Sequence, residues 1–230
     1  MIISHEHKFI FIKTNKTAGT SFEIALSRFC GPDDVITPIS AQDEVMRKEL
    51  GYRGPQNFLT PRSEYKLQDW MWLLLKGSRK KKYYNHISAR EIMEQLNPEM
   101  WESYYKFCFT RNPWDRLISM YWWLYKSEPR PSVSEFLATG DFQKAIRRGF
   151  ELYTIEGQVV VDKIYRFEKI AEAAEEVRTQ LGLPEKLVLP RAKSKTRKDS
   201  RSYRDVLNEP ERARIAELFY DEINLLGYEF

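Results

Sequence analysis

The 230-residue sequence is poor in the residues that form metal sites and disulfide frameworks. It has two cysteines and three histidines, and neither Cys30 nor Cys108 lies in a CxxC pair or at the spacing of a metal-ligand motif. Cys108 stands between two phenylalanines, a setting typical of a buried free thiol. We therefore expect neither a disulfide nor a bound metal ion.

Long apolar runs are also absent. The most apolar segment, residues 70–75, is far shorter than the roughly 20 residues of a membrane-spanning helix, and Lys76 follows it directly. We interpret this segment as a buried helix. The first residues lack the basic region and apolar stretch of a secretion signal. These absences predict a cytoplasmic protein with no membrane partner.

The composition is that of a folded globular protein, with 42% hydrophobic and 14% aromatic residues. The length suits one domain over residues 1–230. Thirty-seven basic and 33 acidic residues give a net charge of only +4, but positive charge is concentrated at residues 78–82 and 191–204. Each basic run is either a solvated face or an anion-binding surface, and the first, beside two tyrosines, suits an anionic glycan.

Strand patterns and helix patterns alternate along the chain. Apolar, β-rich runs at residues 8–13, 105–110 and 159–167 predict strands, the first of them buried on both faces. Apolar stripes and capping residues predict helices near positions 22–29, 41–50, 88–96, 113–126, 170–181 and 208–226. This alternation predicts an α/β fold with a mainly parallel central sheet flanked by helices.

A polar turn at residues 15–21 (NKTAGTS) joins the first predicted strand to the first helix. At a helix N-terminus the backbone N–H groups of residues 18–21 point outward, Gly19 permits close approach of a ligand, and Lys16 adds positive charge. The pattern favours a phosphate-like anion, and the simpler alternative is a capped helix beside a solvated lysine. It is not a Walker A motif, because the lysine precedes the only glycine by three residues.

Arg111 ends the second predicted strand, and Asn112 and Pro113 suit the start of the helix that follows. Ser119 lies about two turns into that helix. Parallel strands open onto one sheet edge, so we expect Arg111 and the polar turn to share a crevice. An arginine placed there can hold a phosphate with two parallel hydrogen bonds. An ion pair with Asp115, beside an exposed Ser119, is an equal alternative.

Together the two segments resemble the motifs of sulfotransferases that use 3′-phosphoadenosine-5′-phosphosulfate (PAPS), especially the carbohydrate sulfotransferase branch. Residues 15–21 resemble the 5′-phosphosulfate loop, and residues 111–119 resemble the 3′-phosphate motif, an arginine followed eight residues later by serine. The similarity continues through residues 161–168 and 227–230, so it spans nearly the whole chain. Asn15 stands where the family usually has proline, but it removes no phosphate-binding group.

The resemblance implies a P-loop-like three-layer fold and transfer of a sulfonate from PAPS to an acceptor hydroxyl, above all on a carbohydrate. The implied product is adenosine 3′,5′-bisphosphate, and no metal is needed. Lys16 would also act in catalysis by neutralising the charge that develops on the leaving phosphate. The implied nucleotide contacts are Lys16, Thr17, Ala18, Gly19, Thr20, Ser21, Arg111 and Ser119, together with Lys193, Ser194 and Arg197 in a basic loop.

The acceptor hydroxyl also needs a base, and His86 matches the position at which this branch often carries its histidine. Histidine side chains titrate near neutral pH, which suits proton transfer. A histidine beside a helix start without a catalytic role is the alternative. Glu23 and Glu91 are the other candidate bases. The two remaining histidines precede the first strand and have no predicted role.

Two other classes of function stay open from the sequence. A nucleotide or small-molecule kinase would need ATP and Mg²⁺, and the missing Walker Gly-Lys pair counts against it. A nucleic-acid-binding protein would use the two basic runs, which the modest net charge does not favour. Residues 31–85 and 127–158 lie between the nucleotide motifs and are the predicted acceptor-specificity regions.

Overall fold

A five-stranded sheet forms the centre of the computed structural model, which describes residues 1–143, 149–190 and 201–230. Its strands, in spatial order, are β3 (Val35–Ile36), β1 (Ile2–Ser4), β2 (Phe9–Ile12), β4 (Tyr105–Thr110) and β7 (Lys163–Arg166). A separate hairpin pairs β5 (Thr154–Ile155) with β6 (Gln158–Val159). The strands predicted at 8–13 and 105–110 are confirmed, whereas the third predicted run is divided between the hairpin and β7.

The sheet is mixed, which corrects the prediction of a mainly parallel one. β2, β4 and β7 are parallel neighbours, with Ile12 paired to Cys108 and Thr110 paired to Arg166. β1, however, runs antiparallel to both β2 and β3. Only residues 5–8 join β1 to β2, and so short a connection permits only an antiparallel pair. The carboxyl ends of β2, β4 and β7 still meet at one edge.

Helices connect and cover the strands, and their predicted starts are largely confirmed. Capping boxes form at Ser88 and Asn208, and the Asn112 side chain accepts hydrogen bonds from the first turn of the following helix. The helix predicted over 208–226 is two helices, because the buried Phe219 leaves helical geometry. The helices are α1 (Gly19–Ser27), α2 (Ala41–Glu49), α3 (Leu67–Lys76), α4 (Ala89–Gln95), α5 (Pro98–Ser103), α6 (Pro113–Leu124), α7 (Val133–Thr139), α8 (Ile170–Gln180), α9 (Tyr203–Val206), α10 (Glu209–Leu218) and α11 (Tyr220–Leu226).

The sheet lies between two helical layers, as the three-layer prediction requires. Side chains alternate between the two faces of a strand, so Phe11 and Phe109 pack with Phe22 of α1 on one face. Ile12 and Cys108 point to the other face and pack with residues of α4 and α5. The central strands are therefore buried on both faces, which explains their unbroken apolar sequences.

The segment predicted as a buried helix at residues 70–75 is helical but exposed. It belongs to α3, and no residue of that helix is buried. The prediction of burial is therefore wrong, because an apolar run reports hydrophobicity and carries no information about which protein surface is available to cover it. Among the residues that the structure describes, no helix is both long enough and apolar enough to cross a membrane.

Candidate active site

The loop at residues 13–18 carries the chain from β2 into α1 through two left-handed residues. Lys16 has φ 63° and Ala18 has φ 57°, and Ala18 holds the position just before the helix. An alanine offers no side-chain cap to the first turn of α1. The N–H groups of a first turn have no partners within their own helix and lie at its positive end. This geometry suits the anion binding predicted for residues 16–21.

Gly19 is required by packing at the start of α1. A Cβ atom added at Gly19 would lie 2.8 Å from Cγ of Lys13 and 3.5 Å from the carbonyl oxygen of Thr14. The loop therefore folds back closely on its own first residues. Thr20 and Ser21, the hydroxyl residues that follow, are buried in the first turn of the helix.

Two threonines fix the loop against the neighbouring strand. The Thr14 hydroxyl donates a hydrogen bond to the carbonyl of Phe109 in β4. The hydroxyl oxygens of Thr14 and Thr17 lie 2.9 Å apart. Because both side chains are buried, these bonds are shielded from water and hold the loop to the end of β4.

Arg111 meets this loop directly at the end of β4. Its Nη1 donates to the carbonyl oxygen of Lys16 at 3.1 Å, which confirms that the polar turn and Arg111 share one edge of the sheet. Nε and Nη2 also bind a carboxylate oxygen of Asp115, at 2.8 and 2.7 Å, so the ion pair considered as the alternative is present. The guanidinium lies 4.3 Å from the ring centre of Phe167. Arg111 is thus oriented from three sides beside the loop.

Helix α6 presents Ser119 on the side that faces the loop. Nζ of Lys16 lies 5.8 Å from the ring centre of Trp123, which places Trp123 on that side. Residues four apart share a face of an α-helix, and Ser119 precedes Trp123 by four. Lys16, Arg111 and Ser119 therefore border one region above the carboxyl ends of β2 and β4.

His86 contacts the same loop at its first residue. Its Nδ1 lies 2.8 Å from the carbonyl oxygen of Lys13, and its backbone has φ 60°. A carbonyl oxygen only accepts hydrogen bonds, so Nδ1 carries the proton. In the neutral ring this assigns the lone pair to Nε2, the arrangement that a general base needs. The half-buried His86 is therefore held in the tautomer that accepts a proton through Nε2.

Neither alternative base has comparable geometry. Glu23 is fully buried, with Nζ of Lys13 at 2.7 Å from its carboxylate and Arg47 at 3.7 Å. Burial alone raises the pKa of Glu23, but the charges of Lys13, the Met1 amino group and Arg47 outweigh it and lower that pKa to about 2. A carboxylate so paired is a poor proton acceptor. Its role is to balance buried positive charge beneath the loop.

Glu91 is committed to the start of α4. Its carboxylate accepts hydrogen bonds from the Ser88 hydroxyl at 2.6 Å, from the Ser88 N–H at 3.2 Å, and from the Tyr84 hydroxyl. Burial by itself raises the pKa of Glu91, but these hydrogen bonds lower it overall. The geometry thus favours His86 over both carboxylates as the base.

Comparison with known proteins identifies the family of the chain. The model of the sulfotransferase family matches residues 1–229, nearly the whole chain. The chain belongs to the sulfotransferase family. An uncharacterized protein from Archaeoglobus fulgidus is 30% identical to it over 106 residues, which are 44% of this chain and 87% of that protein.

Two solved sulfotransferase structures are similar to this sulfotransferase over 96% of its chain. One is mouse sulfotransferase SULT7A1 complexed with PAP, with 13% identity, a TM-score of 0.49 and 86% of that chain covered. The other is a sulfotransferase from Alicyclobacillus acidocaldarius, with 17% identity, a TM-score of 0.43 and 96% of that chain covered.

The sulfotransferase also has a buried polar network beneath Arg111 that the sequence did not predict. Thr110, the last residue of β4, donates to Glu222 at 2.9 Å, and the Tyr153 hydroxyl donates to the same carboxylate oxygen at 3.2 Å. Arg116 forms a two-point ion pair with Glu222, with Nη1 at 2.8 Å from Oε1. These groups are buried and bring together β4, α6 and α11. No local pattern signals such a network, because Glu222 follows its partners by 69 to 112 residues.

A second unpredicted carboxylate positions the turn after Arg111. Glu168 accepts a hydrogen bond from the backbone N–H of Asn112 at 2.6 Å, and the Asn112 side chain donates to the carbonyl of Glu229 at 2.9 Å. The end of the chain thereby contacts the start of α6. Both acidic residues fall within the segments that carried the family resemblance, at 161–168 and 227–230.

Three predicted nucleotide ligands, Lys193, Ser194 and Arg197, lie outside the described residues. Within the described ranges, no group of three or more histidine, cysteine, aspartate or glutamate side chains is placed to hold a metal ion. Both cysteines there are buried and unpaired, and burial raises the pKa of each thiol.

Proposed function

We propose that this sulfotransferase moves the sulfonate of PAPS to an acceptor hydroxyl, with His86 as the base. One observation supports the proposal: a single six-residue loop contacts the nucleotide candidate Arg111 through Lys16 and the base candidate His86 through Lys13. Arg111 donates to the Lys16 carbonyl, and His86 lies on the Lys13 carbonyl. These contacts support a site in which the proposed anion-binding groups and the proposed proton acceptor share one loop.

The nucleotide would be held at both ends. The loop and first turn of α1 would hold the 5′-phosphosulfate through the N–H groups and side chains of residues 16–21. Arg111 and Ser119 would hold the 3′-phosphate, with the guanidinium already oriented by Asp115 and Phe167. Lys193, Ser194 and Arg197 complete the proposed set. These residues fit the group because they supply cations, hydroxyls and amides, the donors that phosphate oxygens accept.

PAPS would supply the sulfonate. When the bond between sulfur and the 5′-phosphate oxygen breaks, its electron pair would stay on that phosphate oxygen. The acceptor oxygen forms the new bond to sulfur, and Nε2 of His86 takes the proton that this oxygen loses. Lys16 would neutralise the negative charge that grows on the leaving phosphate. That interaction strengthens in the transition state and therefore accelerates transfer. The products are the sulfated acceptor and adenosine 3′,5′-bisphosphate.

The proposed acceptor is a carbohydrate, on the resemblance of the two nucleotide motifs to the carbohydrate branch. Residues 31–85 and 127–158 are the proposed specificity regions. His86 directly follows the first of them, and its contact with Lys13 brings that region to the loop. A bound hydroxyl would thus be presented to the side of the loop on which His86 lies.

Calorimetric titration with adenosine 3′,5′-bisphosphate, alongside ATP with Mg²⁺, tests the nucleotide class. We expect micromolar or tighter binding of the bisphosphate and much weaker binding of ATP. The reverse order of affinities would replace the proposal with the kinase alternative. Sulfation of a panel of oligosaccharides, measured as transfer of labelled sulfonate, then tests the acceptor class separately.

A further inference from the structure

Residues 61–79 form an excursion that leaves the body of the protein and returns to it. The two ends are paired: the Thr60 N–H donates to the Lys80 carbonyl at 3.0 Å, and the Lys82 N–H donates to the Phe58 carbonyl at 2.9 Å. Leu59 and Lys81 form an antiparallel bridge between them. The excursion is therefore a projection with a closed base, and α3 forms most of it.

Most apolar side chains of α3 are exposed in the described structure. Leu67, Leu74 and Leu75 are 78%, 83% and 79% exposed, and the two tryptophans of the helix are exposed as well. Met71, Trp72 and Leu75 border an open apolar recess. A helix on a globular protein normally turns its apolar stripe toward the core. In the described part of the chain, no residue of α3 is buried, and only Asp69 and Leu73 of the helix are half-buried.

Positive charge lies beside this exposed helix. Residues 61–82 contain seven basic and two acidic residues, which leaves thirty basic and 31 acidic residues in the rest of the chain. One of the two acids, Asp69, is already paired with Lys80 at 3.0 Å. Residues 61–82 thus carry a net charge of +5, seven basic minus two acidic residues, and residues 191–204 are the other basic concentration in the sequence. Nζ of Lys76 lies 3.8 Å from the ring centre of Trp72, so cationic and apolar groups are intermixed.

We propose that the excursion docks the protein on the surface of an anionic lipid membrane. Such a surface is apolar below its headgroups and negative at them, and the excursion offers apolar side chains beside basic ones. Tryptophan is favoured at this interface, where an apolar ring and a polar N–H both find partners. A glycan would use the basic residues but would leave the leucines in water. A second copy of the chain would cover the leucines but would bring two basic segments together.

The length of α3 defines the mode of binding. Its ten residues span about 15 Å, half of a bilayer core, so the helix lies in the interface and does not cross. The prediction of no membrane partner rested on the lack of a spanning segment and of a secretion signal. Surface docking requires neither, and it is independent of the sulfonate-transfer proposal.

Sedimentation with lipid vesicles tests the docking. We expect the protein to bind vesicles of phosphatidylcholine mixed with phosphatidylglycerol, to bind pure phosphatidylcholine weakly, and to dissociate as salt is raised. The double variant Leu74→Glu/Leu75→Glu should bind at least about tenfold more weakly. Arg79→Gln/Lys81→Gln should lose about fivefold for each charge removed.

Matched variants elsewhere control for added negative charge and for lost positive charge. Val45→Glu/Leu50→Glu changes two exposed apolar residues at α2, and Lys163→Gln/Lys169→Gln removes two exposed cations; both should bind like the wild type. Wild-type tryptophan fluorescence should also shift to the blue on anionic vesicles, and this shift should disappear in Trp70→Phe/Trp72→Phe. That measurement does not depend on how the charged variants fold.

Three results would overturn the proposal. The first is equal binding of the wild type to anionic and neutral vesicles, and the second is full vesicle binding by Leu74→Glu/Leu75→Glu. The third combines two observations: the wild type binds no vesicles, and it forms a dimer in analytical ultracentrifugation that is lost in Leu74→Glu/Leu75→Glu. That result would assign the surface to a second copy of the chain.

Discussion

The loop at residues 13–18 and the excursion at residues 61–79 are both connections between regular elements, yet they are stabilised in opposite ways. The loop is polar in sequence, and its threonines are buried and bonded to the neighbouring strand. The excursion is apolar along α3, and its helix has no buried residue. In the loop, the side chains bind other parts of the same chain. Among the described residues, most apolar side chains of α3 remain exposed.

This difference separates two kinds of functional surface. A site that must hold a small anion in one geometry needs groups fixed before the ligand arrives. A surface that meets a fluid layer of lipid needs area and charge, and gains nothing from a fixed orientation of each side chain. We therefore expect variants of the loop to alter rate, affinity or stability, and variants of the exposed face of α3 to alter binding to membranes.

The largest effect is expected from His86→Ala. Loss of a general base lowers turnover by about 10²- to 10⁴-fold, whereas the affinity for adenosine 3′,5′-bisphosphate should not change. Sulfonate-transfer kinetics and calorimetry measure the two quantities separately. His7→Ala, at a half-buried histidine before β2, is the matched control. Full activity of His86→Ala would show that another group accepts the proton.

Lys16→Ala should lower kcat by about 10²- to 10³-fold, with a smaller effect on nucleotide affinity, because its charge matters most as the leaving group forms. Lys8→Ala is a close control, since Lys8 is exposed and shares the left-handed backbone, with φ 50° against 63° for Lys16. Normal turnover in Lys16→Ala would contradict the role given to its charge.

Glu23→Gln should destabilise the protein by about 3–5 kcal/mol, because it removes the charge that pairs with the buried Lys13 and one of the two carboxylates beside the buried Arg47. Urea unfolding measures this, with the exposed Glu175→Gln as a control expected to show no measurable change. The pKa of Glu23 is lowered from 4.5 to about 2 in the folded protein. Its contribution to stability is therefore complete above about pH 4.5 and is lost as the pH falls toward 2. Equal acid unfolding profiles for wild type and Glu23→Gln would refute this account.

Arg111→Ala should weaken binding of adenosine 3′,5′-bisphosphate by about tenfold to hundredfold, the effect of removing a charged hydrogen bond. Arg130→Ala is its control in calorimetry. Like Arg111, Arg130 lies 4.3 Å from the centre of an aromatic ring, here Trp122, and pairs with an acidic residue, here Glu128. Its described contacts do not include the loop at residues 13–18. Equal losses of affinity in Arg111→Ala and Arg130→Ala would mean that Arg111 affects binding through the folded structure and not through direct contact with the nucleotide.

The smallest effect is expected from Leu74→Glu/Leu75→Glu on folding. Surface substitutions outside packed regions change stability by about 0.5 kcal/mol or less, so the urea midpoint should match that of the wild type. A large loss would show that α3 packs against the protein in solution, and the contrast between loop and excursion would then fail.

Local patterns predicted most of the elements around the site. Capping residues such as Ser88 and Asn112 marked helix starts, because a cap acts within one turn. The antiparallel β1 escaped prediction, since three residues carry too little periodicity. Partners far apart in sequence were also invisible: Arg116 and Glu222 are 106 residues apart. The contact between His86 and Lys13 depends in the same way on the folded path of the chain.

In that last contact, Lys13 has two separate roles, one for its backbone and one for its side chain. The group that sets the tautomer of His86 is the backbone carbonyl of Lys13, whereas the Lys13 side chain balances Glu23. All amino acids carry the carbonyl, so no substitution at position 13 deletes it. A saturation library at this position would therefore vary the charge opposite Glu23 while each member kept the acceptor for His86. In evolution, likewise, a change of the side chain at position 13 keeps the backbone carbonyl that orients His86.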